Sequence, residues 1–197
     1  MSKLSDLSAA TARASSPAEF SLDDRRTLLQ IAHEAIRSSF SNRALPATPA
    51  STRLSEELGV FTTLYLRGSL RGCVGYAHPV APLYLAVAQS ARAAAFEDSR
   101  FRPVTPEEAP HLEISLSVLS PVFPIRAEEV EVGRHGLVIS LGTRRGLLLP
   151  QVPVEHGWDR ETFLEQTCRK AGLPAEALHN GAVLEAFTAE VFADNQL

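Results

Sequence analysis

Cys73 is the residue of this chain best suited to covalent chemistry. It lies in Leu70-Arg71-Gly72-Cys73-Val74-Gly75, and glycine within a strand often marks close backbone approach or a bulge. The thiolate is the reactive form of cysteine, and a neighbouring cation favours it. Arg71 sits two positions away, a spacing that puts both side chains on one face of a strand. The competing reading is a small core cysteine in an apolar strand. Cys168 falls on the apolar stripe of a helix expected over 160–171, so packing is its default role. Of six histidines, His135 stands out because it precedes Gly136 at the start of a strand. A neutral imidazole there could act as base to a thiol; a turn histidine open to water fits equally well.

Gln151, Glu155 and Trp158 fall in the stretch LLPQVPVEHGWD, which reads as a proline-stiffened loop. Such a loop suits binding, and it suits a packing corner as well. Glu113, Ser115 and Ser117 alternate with apolar residues and read as the solvent face of a strand rather than the lining of a cleft. Arg144-Arg145 reads as a hairpin tip.

These side chains need elements to position them. Ser21 with Asp24 resembles a capping box ahead of a helix over 22–39, whose apolar face is Leu28, Leu29, Ala32, Ala35 and Ile36. Val60 to Leu66 and Leu70 to Tyr76 read as a hairpin with Gly68-Ser69 as a type II′ turn. In that register Arg67 pairs with Leu70, and Leu64 sits opposite Cys73. A helix follows from Pro82 to about Phe96, then a proline-rich loop from Asp98 to Pro110. His111 to Leu119 is a strictly alternating strand. A second hairpin joins Leu137–Leu141 to Gly146–Leu149 across residues 142–145. Asp159 caps the next helix and Gly172 ends it. A single last strand is expected from Val183 to Phe192. Strands and helices intersperse without βαβ regularity, so the expected fold class is α+β, one or more mostly antiparallel, hairpin-built sheets with packed helices. Residues 1–18 read as a mobile tail and 19–197 as the domain, with an irregular loop over 42–52.

Composition narrows the chemistry. The chain has 197 residues, 45% of them apolar, a length that allows one domain, or one domain with a small subdomain. A net charge of −4 argues against nucleic acid as a partner. No apolar run reaches the roughly 18 residues a membrane span needs. Two cysteines and no secretory leader pattern predict free thiols in a reduced, cytoplasmic protein. They also exclude a four-thiolate zinc site and a three-cysteine cluster run, and no metal site is expected. Phosphate-cradling glycine motifs are absent, so no cofactor is named.

The quoted strings together resemble one family. LRGCVG from Leu70 resembles the LRGCIG signature of the AMMECR domain family, with Val74 in place of Ile. DSRFRPVT from Asp98, LEISLSVLSP from Leu112, GRHGLVI from Gly133, LLLPQVPVEHGWD from Leu147, CRKAGLP from Cys168 and FTAEVF from Phe187 follow in the family's order. The resemblance spans about residues 20–192. It implies a compact α+β domain without a securely established reaction. It also implies partners, a Memo-like protein and a radical S-adenosylmethionine enzyme, since prokaryotic members are often encoded beside both. The signature's suspected enzymatic role carries over to Arg71, Gly72, Cys73 and Gly75. Two functions follow as expectations. One is a thiol-dependent enzyme or carrier built on Cys73 and Arg71, with His135, Gln151 or Glu155 assisting. The other is a non-catalytic module that binds a protein or ligand in the groove beside the LRGCVG strand, with Gly72, Gly75, Gln151, Glu155 and Trp158 at the contact.

Overall fold

The computed structural model describes residues 19–41 and 49–196; the expected tail over 1–18 and most of the 42–52 loop lie outside them. Helix α1 (Leu22–Ser39) begins as expected, with the Ser21 hydroxyl accepting the Asp24 amide. Strands β1 (Val60–Leu66), β2 (Ser69–Tyr76) and β3 (Leu112–Leu119), with β8 (Ala189–Ala193), form one antiparallel sheet in the order β2-β1-β3-β8. Helix α1 and helix α2 (Leu83–Phe96) cover one of its faces. Leu28, Ile36, Leu64, Leu83, Ile114 and Leu116 are fully enclosed there, each such burial contributing about 1.5–3 kcal/mol.

A second antiparallel sheet, ordered β4-β7-β5-β6, joins β4 (Phe123–Pro124), β7 (Val183–Phe187), β5 (Gly136–Leu141) and β6 (Arg144–Leu148). Helix α4 (Arg160–Lys170) packs on β5 and β6. Its cap is the Asp159 carboxylate, which accepts the Thr162 amide, and Gly172 with φ +68° follows its end. The fold is α+β, as expected. Among the described residues no helix is long and apolar enough to cross a membrane.

Four local expectations are corrected. The first hairpin turns at Arg67-Gly68, with φ values of 52° and 76°. That is the type I′ pattern, whose twist matches the flanking strands. Leu66 therefore pairs with Ser69, and Arg71 is left over as a bulge, so that Leu64 faces Gly72 and Thr63 faces Cys73. The second hairpin turns at Gly142-Thr143, and Arg144 and Arg145 are strand residues paired with Leu141 and Ser140. The stretch after β6 contains a short helix α3 (Gln151–Glu155) rather than only loop. Finally, the single last strand is two, broken at Thr188. Its amide donates to Ser120 Oγ while its carbonyl accepts the Ser120 amide. That reciprocal pair sends β7 and β8 into different sheets.

Candidate active site

The register shift decides which way Cys73 points. Thr62, Leu64 and Gly72 face the helices: Thr62 Oγ1 lies 2.7 Å from Ser90 Oγ of α2, and a Cβ on Gly72 would come within 2.1 Å of the Ala94 carbonyl oxygen. Cys73 consequently turns to the opposite face with Thr63, whose hydroxyl donates to Cys73 Sγ at 3.3 Å. Ser115 of β3 continues the same cross-strand row beyond Thr63. Cys73 and Ser115 are half-buried and Glu113 is exposed, so this is the face away from the helices, as the alternation in β3 predicts. One step along, Phe61 packs with Leu147 and Leu149 on a small cluster of Leu119, Val138 and Phe187, where the two sheets meet.

Strand β2 is an edge, and an edge strand leaves alternate amides and carbonyls unpaired. At Cys73 two side chains supply the missing partners. The Cys73 amide donates to Asp98 Oδ2 at 2.9 Å, and the Cys73 carbonyl accepts Arg100 Nη2 at 3.3 Å. Asp98 and Arg100 are themselves joined by two bonds of 2.9 and 2.7 Å. Together they act as one residue of an adjoining strand. The Asp98 carboxylate is only 6% exposed, and the Arg100 side chain, with amides from Cys73 and Arg100, holds it well below the usual carboxylate range.

Arg71 is committed elsewhere. Its guanidinium reaches Glu108 through Nε and Nη2 at 3.4 and 2.8 Å, and donates to the carbonyls of Arg102 and Pro103. Arg71 therefore clasps the 98–108 loop to β2, and the cation bonded at Cys73 is Arg100. Gly75 also has a structural cause: a Cβ there would lie 2.3 Å from the Val60 carbonyl oxygen. Three of the signature residues are thus accounted for by packing and clasping, and Cys73 is not.

The remaining expected residues lie on the second sheet's side. His135 is buried at the start of β5. Its Nδ1 accepts the Glu131 amide at 3.0 Å and its ring meets Phe123 edge-on. Burial pushes its pKa down, so near neutral pH it is the uncharged tautomer protonated on Nε2. Acting as a base to Cys73 would require Nδ1 to leave Glu131. Gln151 and Glu155 are exposed on α3, and among the described residues neither hydrogen-bonds to Cys73. Trp158 stacks on His156 at 4.7 Å between ring centroids and packs beside Phe163. Cys168 is enclosed, and burial pushes its thiol pKa up. Among the described residues no group of three His, Cys, Asp or Glu side chains is placed to hold a metal ion.

Sequence reasoning missed Thr63, Asp98, Arg100 and Glu108. The available signal was the DSRFRPVT block, which places an acid and a base at i and i+2 directly after a helix.

Comparison with known proteins shows the family and the fold. A protein of Thermococcus gammatolerans is 44% identical over 181 residues, covering 85% of this chain and 88% of that one. A protein of Methanothermobacter thermautotrophicus is 42% identical over 190 residues, covering 90% and 98%. The crystal structure of the uncharacterised protein PH0010 from Pyrococcus horikoshii is 39% identical, covers 86% of this chain and 90% of its own, and superposes with a TM-score of 0.72. The AMMECR1 family model matches residues 29–192. The chain belongs to the AMMECR1 family.

Proposed function

We propose that the protein works through the Cys73 thiol, as a thiol-dependent enzyme or carrier. One observation carries this reading. Both edge-facing backbone groups of Cys73 are fixed by Asp98 and Arg100, yet the residue is only half-buried and its sulfur has a single hydroxyl donor beside it. A cysteine kept for packing needs no such immobilisation; a nucleophile gains from it, because a fixed position removes orientational freedom before reaction. In the step envisaged, Sγ bonds to an electrophilic carbon, the leaving group departs with the bonding pair, and the thiol proton passes to water. Thr63 Oγ1 donates to the sulfur, and Arg71 is a positioning residue acting through the 98–108 loop. Partners in this reading are those the family resemblance implies, a Memo-like protein and a radical S-adenosylmethionine enzyme. Two free thiols suit a reducing cytoplasm.

A non-catalytic module on this groove would use Arg71 to recognise a carboxylate or phosphate, and its guanidinium is already engaged by Glu108 and two carbonyls. The thiol reading is therefore preferred. Iodoacetamide labelling of the folded protein tests it, with buried Cys168 as the internal reference. Cys73 is expected to label in the native state with a rate that rises as the thiol ionises, while Cys168 stays unlabelled. Labelling of Cys73 only alongside Cys168, on unfolding, would overturn the proposal.

A further inference from the structure

A hollow of about 340 Å³ lies on the same face as Cys73, a size suited to a small ligand or one end of a larger one. Its floor includes Tyr65 of β1, with Glu113 and Ser115 of β3; its wall is the C-terminal stretch Asp194, Asn195 and Gln196. Tyr65 and Glu113 are directly paired across the strands, so the aromatic ring and the carboxylate rise side by side, about 5 Å apart at their bases. Ser115 belongs to both the hollow and the row Cys73-Thr63-Ser115, so the hollow lies on the face that carries the thiol, two strands away from it.

The chemistry of the lining is one-sided. No Lys or Arg among the described residues lines it, whereas two carboxylates do. Asp194 Oδ2 accepts His33 Nε2 at 2.9 Å and the Ile114 amide at 2.7 Å. Burial pushes the Asp194 carboxyl up, but these two bonds outweigh it and leave the group below its ordinary value. Glu113 stands exposed at the rim. Carboxylates beside an aromatic face, with amide and hydroxyl oxygens around them, complement a cation carrying several N–H donors.

We infer that this hollow seats the primary ammonium end of a substrate or partner, with Glu113 and Tyr65 as its principal contacts. The inference rests on the thiol reading only for what the amine carries: a molecule anchored here extends past Ser115 and Thr63 and presents its other end to Cys73. Ammonium binding itself needs no thiol.

The test is a titration of the isotope-labelled protein with butylammonium chloride, read by amide chemical shifts, against butanol and sodium chloride. Saturating shifts are expected at Tyr65, 113–115 and 193–196 with butylammonium alone. Glu113→Gln, an exposed replacement, is expected to weaken binding about tenfold through loss of one charge-assisted contact, and Tyr65→Leu to weaken it as well. Absent shifts, equal shifts with butanol, or binding undiminished in Glu113→Gln would overturn the inference. Iodoacetamide labelling separates the two proposals. A reactive Cys73 without butylammonium binding removes only the ammonium site, and binding beside an unreactive Cys73 removes only the thiol reading.

Discussion

Asp98 does two jobs with one carboxylate, because it accepts the Cys73 amide and also neutralises Arg100. Each contact favours the ionised form, so the folded-state pKa lies below the ordinary carboxylate value of 3.8. The sign of the linkage follows. The unfolded chain takes up this proton first, so the stabilisation is complete above the unfolded value and drains away as pH falls below about 4. Asp98→Asn keeps the size of the side chain and one acceptor oxygen but removes the charge. It is therefore expected to lower stability at neutral pH and to flatten the acid limb of a plot of urea midpoint against pH below about 4. A variant whose acid limb superposes on that of the parent would show that this carboxylate is not a pH-sensitive fastening. The same side chain also sets the position of Cys73, so the variant's native labelling rate reports whether the edge clasp matters to the thiol.

At the scale of elements, β1 and α2 are joined by a buried pair, Thr62 Oγ1 and Ser90 Oγ, with the Ser90 hydroxyl also 3.2 Å from the Val87 carbonyl oxygen. Ser90 thus donates to Val87, and Thr62 donates to Ser90. Removing the two hydroxyls has unequal costs. Thr62→Val leaves Ser90 satisfied by Val87, whereas Ser90→Ala strands the Thr62 hydroxyl in the core, a penalty of about 1–3 kcal/mol. Urea denaturation should rank Ser90→Ala as the more damaging change, with the double variant recovering part of the loss; the reverse ranking would refute this donor assignment. Such elements were largely legible beforehand. The spacing of Leu28, Ala32, Ala35 and Ile36 specifies α1, and the alternation of Leu112, Ile114, Leu116 and Val118 specifies β3, because both report a local period. The bulge at Arg71 and the break at Thr188 were not legible. Each depends on a remote partner: Ala94 pressing on Gly72, which must stay opposite Leu64, and Ser120 exchanging bonds with Thr188. The site divided in the same way. Cys73 was identifiable from its type and flanking glycines. The partner of Arg71 was not, since Glu108 lies 37 positions away and nothing local points to it.

The whole molecule consists of two sheet-and-helix layers whose shared core is small. Leu119, Val138 and Phe187 form the joint, with Phe61, Leu147 and Leu149 packed around it. Phe187 is its largest member and is enclosed. It sits opposite Gly136 in the register, and a Cβ on Gly136 would come within 2.2 Å of its ring. Only a glycine leaves room for the ring to cross β5 and reach the first sheet. Truncating Phe187 to alanine removes about 3–5 kcal/mol of packing, and removes it from the seam rather than from either main core. The aromatic residues make the consequence readable. All three tyrosines, Tyr65, Tyr76 and Tyr84, belong to the first sheet and α2, while the single tryptophan, Trp158, packs with Phe163 in the second layer. Tyrosine second-derivative absorbance and tryptophan fluorescence therefore follow different layers through one urea titration. In the parent protein the two transitions are expected to coincide, as in a two-state unit. In Phe187→Ala the tryptophan transition should move to lower urea ahead of the tyrosine transition, because the first layer keeps its own enclosed core of leucines and alanines. Transitions that shift together in the variant would mean that the chain crossings at Ser120 and Thr188, rather than the seam, bind the layers into one cooperative unit.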